Sequence, residues 1–233
     1  MKKFTSTLVT TMVNSDDGLY NYEVVRTLQN VRGDKALLLT LYPSFSGADI
    51  FKLDTTTLHL LNHMKDLNLS SVRIINLFSK IVKGAKLSCR NLTVDEENLK
   101  YIEGVMKEKD FESYIFIVAW GSSMATSKAA NQTKERIIKM FREYHPNSRL
   151  YQITSDYLAF DNIDAVHPLY LGIRNAQTRW KLAEYAPPTS FGKPESENAM
   201  KAQQKKISGK KKSDEEANIK ETENTKDNME GKG

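Results

Sequence analysis

The stretch Lys35-Ala-Leu-Leu-Leu-Thr-Leu-Tyr-Pro-Ser-Phe-Ser-Gly-Ala-Asp49 decides the fold. It opens as an apolar run over 36–41 and breaks at Pro43. A short apolar run closed by turn formers is the signature of a strand buried on both faces. In open α/β sheets, ligands bind just beyond the carboxyl ends of such strands. Tyr42-Pro43-Ser44-Phe45 therefore stands where a site is expected.

Outward from this stretch, strand and helix patterns alternate. Residues 20–28, rich in Tyr and Val, read as a strand joined to 36–41 by the turn Asn30–Asp34. The short link predicts a hairpin, and hence one antiparallel edge strand on a parallel core. Asp54 is placed to cap a helix over 55–67, with Leu60, Leu61, Met64 and Leu67 on one face. Residues 71–76 predict a strand ending at Asn76. Thr93-Val94-Asp95-Glu96 reads as a capping box opening a helix to about 107. A strand follows over 114–119, stopped by Trp120-Gly121, then a helix over 131–144 and a strand over 149–153. Past His167-Pro168 a last helix is expected over 173–185, carrying Arg174. The alternation predicts a three-layer α/β/α domain over residues 1–187, with a mainly parallel central sheet.

From Pro188 onward aromatic and β-branched residues nearly vanish, and 10 Lys face 9 Asp or Glu. Such a segment buries too little apolar surface to offset its ordering entropy, so 188–233 reads as a disordered polyampholyte tail. Net charge is +5, a mildly basic balance that permits phosphate contacts without compelling them. The single cysteine, Cys89, rules out an intrachain disulfide and fits a reducing compartment. The N-terminus scatters its apolar residues among threonines and serines, so no signal peptide is expected. No stretch has the length of a membrane span. The expectation is a cytoplasmic protein with no membrane partner.

Four landmarks fall at strand ends or in a late loop: Tyr42-Pro43-Ser44, Asn76, Trp120-Gly121 and His167-Pro168. In a parallel sheet those ends share one edge, so the four can converge. Singly, each has a plain structural role: Pro43 ends a strand, Asn76 satisfies a turn, Trp120 fills core and Gly121 supplies a positive φ. Together, they suit a planar polar ligand. An Asn amide offers a donor beside an acceptor, Phe45 or Phe51 can stack on a ring, and a neutral His can donate to an oxygen gaining negative charge. His59 and His63 have metal-ligand spacing, but no HExxH pattern or third ligand accompanies them. No glycine-rich dinucleotide or phosphate loop is present, and no cofactor or metal is implied.

Taken in order, these motifs resemble a bacterial family catalogued as domain of unknown function 1643. The residues carrying the resemblance are Leu41-Tyr42-Pro43-Ser44 with Ala48-Asp49, Asp54-Thr55-Thr56, Asn76-Leu77-Phe78, Ala119-Trp120-Gly121 and His167-Pro168-Leu169-Tyr170-Leu171. More distantly they are similar to the uracil-DNA glycosylase superfamily. That likeness implies a glycosylase-like fold, a nucleic-acid or nucleobase ligand and N-glycosidic cleavage. Asn76 would read the base, His167 would stabilise the leaving base, Leu171 would insert as a wedge into DNA, and Arg174 would contact it. One position departs from the pattern. Where glycosylases carry a water-positioning Asp or Asn, this chain has Tyr42, a poor general base at neutral pH. Ser44, Asp49 and Asp54 are the residues placed to take over the water. The alternative is a non-catalytic nucleic-acid or protein-binding module that kept the fold and lost the chemistry.

Overall fold

A computed structural model describes residues 1–43, 50–81, 92–156 and 165–191. Chain contacts separate Met1–Gly192 from Lys193–Gly233, and every described residue belongs to the first unit. Beyond Phe191 the expected tail lies outside the described residues.

Among the described residues the chain builds one seven-stranded sheet and four α-helices. In sequence these are β1 (Leu8–Asn14), β2 (Asn21–Leu28), β3 (Asp34–Thr40), α1 (Thr55–Asn62), β4 (Leu69–Asn76), α2 (Glu96–Met106), β5 (Tyr114–Val118), α3 (Lys128–Tyr144), β6 (Leu150–Ser155), α4 (Pro168–Arg174) and β7 (Trp180–Glu184). The strand order is β1-β2-β4-β3-β5-β6-β7.

Strand β3 is central, as its apolar run requires. Ala36, Leu37, Leu38 and Leu39 are each no more than 1% exposed. Leu37 and Leu39 face a core shared with Leu99 and Ile102 of α2 and Ile137 and Phe141 of α3. Ala36 and Leu38 face the opposite core, with Leu60 of α1 and Leu171 of α4. Helices thus cover both faces, and successive residues of one strand feed the two cores.

The sheet is mixed, which corrects the expectation of a mainly parallel one. β4, β3, β5 and β6 run parallel, while β1–β2, β2–β4 and β6–β7 are antiparallel. The expected hairpin between β2 and β3 does not form, because β4 lies between them. The link from β2 instead crosses the start of β4. A Cβ at Gly33 would sit 2.8 Å from the Asn68 carbonyl oxygen, so only glycine permits that approach. Strand β1 was not expected, although Leu-Val-Thr-Thr-Met-Val is dense in β-branched residues.

Two helix assignments also change. Asp95, not Thr93, caps α2 by accepting from the Asn98 N–H. The expected helix over 173–185 starts instead at Pro168, whose missing N–H and fixed φ suit the first helical position. It ends at Arg174, and Trp180–Glu184 alternates as the edge strand β7. The folded body reaches Phe191, whose ring packs edge-on to Trp120 at 5.7 Å.

Candidate functional site

β3 and β5 are neighbours, but the chain leaves them towards opposite faces: α1 after β3 and α3 after β5. Crevices open at such reversals. Here a cavity of about 330 Å³ lies at the carboxyl ends of the parallel strands. Its wall includes Tyr42 and Pro43 after β3, Asn76 at the end of β4, Ser123 after β5 and His167 before α4. Three landmarks far apart in sequence, Tyr42, Asn76 and His167, therefore share one cavity.

Asn76 is oriented by its neighbour. Thr40 and Asn76 are paired positions of adjacent parallel strands. The Thr40 hydroxyl donates to Asn76 Oδ1 at 2.6 Å, and Asn98 Nδ2 donates to the Asn76 carbonyl at 2.7 Å. Both residues of the strand pair are at most 4% exposed. With its oxygen held by a hydroxyl, the amide has its orientation set, and no described residue pairs with Nδ2.

His167 caps α4, and its Nδ1 accepts from the Leu169 N–H at 3.2 Å. A neutral ring accepting at Nδ1 carries its proton on Nε2. Burial pushes its pKa down to about 4, against the pull of the Asp54 carboxylate. The imidazole is thus a neutral donor at physiological pH. Gly121 lets the ring sit there. It has φ +67°, and a Cβ on it would lie 3.0 Å from the His167 Cβ. Its N–H also donates to the Ala165 carbonyl at 2.7 Å, tying the two loops together. Trp120 is fully buried in the core and does not line the cavity.

Asp54 lies on the same wall. Its Oδ1 caps α1 by accepting from the Thr57 N–H at 2.6 Å. The segment before it is pinned by Arg26, which is 1% exposed and donates to the carbonyls of Ile50 and Lys52 and to the Thr10 hydroxyl. Burial lowers the Arg26 pKa, and the nearby Asp54 carboxylate offsets part of that lowering.

Other expected site residues lie elsewhere. Ser44, Phe45 and Asp49 fall outside the described residues. Phe51 is 91% exposed and lines a separate cavity of about 280 Å³ beside Arg26 and Leu8. Leu171, expected as an inserted wedge, is fully buried instead. Starting α4 at Pro168 turns Leu171 inward and leaves Tyr170 and Ile173 exposed on the cavity rim. Arg174 is exposed and stacks over the Tyr170 ring at 5.3 Å. His63 stacks on Trp180 at 4.0 Å, and the His59 ring fills the space left by Gly172. Among the described residues no cluster of His, Cys, Asp or Glu could hold a metal ion, and no helix is long and apolar enough to cross a membrane.

Sequence reading missed Asn21 and Thr40 as wall residues. Thr40 was legible in principle as the one polar residue inside the apolar run of β3. Asn21 carried no local signal.

A family model described as "Protein of unknown function (DUF1643)" matches residues 22–169. No curated protein and no solved structure matches.

Proposed function

The chain belongs to the DUF1643 family, and we propose that its cavity binds a nucleobase-bearing ligand, with N-glycosidic cleavage as the reaction. The observation that carries this reading is the convergence of Tyr42, Asn76 and His167 on one base-sized cavity. The reading draws on the distant sequence resemblance of the motifs at Asn76 and His167 to those of uracil-DNA glycosylases.

In the proposed reaction Asn76 Nδ2 donates to the base edge. The glycosidic C–N bond breaks with its electron pair leaving on the base. His167 Nε2–H, held neutral because desolvation of the half-buried ring lowers its pKa, donates to the base oxygen where negative charge develops. A donor fixed before the reaction costs no reorganisation and stabilises the transition state more than the ground state. Water bonds to the sugar carbon, and its proton ends on the base. Asp54 is the wall carboxylate placed to orient that water, a role Tyr42 is poorly suited to fill.

A second reading rests on Tyr42 itself. A phenol in the water-positioning place fits a binding module that kept the pocket without the chemistry. Incubation with uracil-containing single- and double-stranded DNA separates the two. Abasic sites that vanish in His167→Ala and Asn76→Ala support cleavage. Binding without abasic sites supports the module. No binding to any base or nucleic acid overturns both.

A further inference from the structure

The proposed pocket so far contains donors, Asn76 Nδ2 and His167 Nε2–H. A heterocycle also presents N–H or amino groups, and these need an acceptor. The strand pairing points to one that the base-binding reading leaves unused.

Between β1 and β2 the register shifts: Val13 pairs with Glu23, but Asn14 pairs with Asn21. Tyr22 is therefore an extra residue, and a bulge of this kind re-aims the side chains that follow it. Tyr22 and Glu23 both turn to α2, where Tyr22 packs on the Tyr101 ring at 5.3 Å and Glu23 accepts from the Tyr101 hydroxyl at 3.2 Å. In an unbroken strand Asn21 would share the side of Glu23. Displaced by the bulge, it joins Val24 on the cavity wall.

Asn21 is 1% exposed. Its Nδ2 is committed twice, to Asn14 Oδ1 at 2.7 Å and to the Glu23 carbonyl at 3.3 Å. Those bonds fix which end of the amide is which. Its Oδ1 is buried and has no hydrogen-bond partner. A buried acceptor without a donor is costly and rare in folded proteins.

We infer that Asn21 is a specificity-determining residue: its Oδ1 accepts from an N–H or amino group of the bound ligand. The inference rests on the base-binding reading above and narrows it. The ligand is a heterocycle carrying a ring or exocyclic N–H donor as well as a carbonyl or ring-nitrogen acceptor. A site built around a buried acceptor rejects an analogue lacking the matching donor far more strongly than one built on shape alone.

Calorimetric titration of the full chain uses base pairs differing by one donor: uracil against 3-methyluracil, cytosine against 2-pyrimidinone, and adenine against purine. For the base that binds best, the donor-bearing member is expected to bind at least about tenfold more tightly. Asn21→Leu should bring that ratio below about threefold. If Asn21→Leu does not fold, the wild-type ratios decide alone. Base binding that depends on Asn76, with equal affinity within every pair or a ratio unchanged in Asn21→Leu, overturns the role of Asn21 and leaves the pocket standing. Failure of every base to bind overturns the pocket, and Asn21 with it.

Discussion

The Thr40 hydroxyl donates to Asn76 Oδ1 at 2.6 Å across paired positions of β3 and β4. The bond joins the strand that organises the sheet to the residue proposed to read the ligand. It also assigns the amide: oxygen towards the strand neighbour, nitrogen towards the ligand.

Replacing Thr40 with Val keeps the shape and removes the donor. The Asn76 amide loses its fixed orientation. Base affinity should fall about three- to tenfold, while stability changes by no more than about 1.5 kcal/mol, the net worth of one such bond. Parallel titrations and urea melts separate the two effects.

His167 sets a pH dependence whose sign follows from its depressed pKa, about 4 in the folded chain. Its unfolded reference is about 6.5. Above pH ~6.5 the ring is neutral in both states and this group gives stability no slope. As pH falls from ~6.5 towards 4, the unfolded chain takes up a proton that the folded chain resists. Stability is then lost progressively, by on the order of 3 kcal/mol in total. Denaturant midpoints measured between pH 4 and 7 should show this slope, and His167→Gln should flatten it. Base affinity should show no inflexion near pH 6.5.

Gly121 is required by both its backbone and its neighbour. Alanine at φ +67° strains the backbone and crowds the His167 Cβ at 3.0 Å. Gly121→Ala should cost about 1–2 kcal/mol from the left-handed backbone alone. It should also weaken ligand binding or cleavage by displacing the imidazole. Thermal melts and ligand titration measure the two losses separately.

Asp54→Asn distinguishes capping from chemistry. Asparagine caps a helix as well as aspartate does, so stability should hold within about 0.5 kcal/mol. If Asp54 orients the water, abasic-site formation should drop at least about a hundredfold while base affinity persists. Equal cleavage by the variant would remove Asp54 from the reaction.

Arg26→Met leaves the carbonyls of Ile50 and Lys52 without their buried donor. A loss of about 1–3 kcal/mol is expected in urea denaturation. Loosening the segment that presents Asp54 should also slow any cleavage.

The central architecture was legible because β3 is buried on both sides and reads as an apolar run. Asp54 as a cap and the strand ending at Asn76 were legible from local chemistry. What was not legible is long-range. Nothing local tells that β4 separates β2 from β3; that depends on Gly33 passing close to the Asn68 carbonyl. The cavity edge at Tyr42, Asn76 and His167 followed from two strand ends and the late loop before Pro168. Asn21 could not, because a one-residue bulge decides which face it joins, and no residue type announces that bulge. Leu171 shows the same limit. Its inward turn depends on where α4 begins, and Pro168 moved that start.

The side-chain amide of Asn76 gives the sharpest readout of the proposed pocket. Proton–nitrogen NMR spectra of the chain, recorded during titration with uracil, cytosine and adenine, follow it together with the His167 ring. Saturable shifts of the Asn76 Nδ2 protons and of His167 Nε2–H by at least one base, lost in Asn76→Ala, are expected. Spectra in which neither group moves for any base at millimolar concentration would contradict the assignment of this cavity to base recognition.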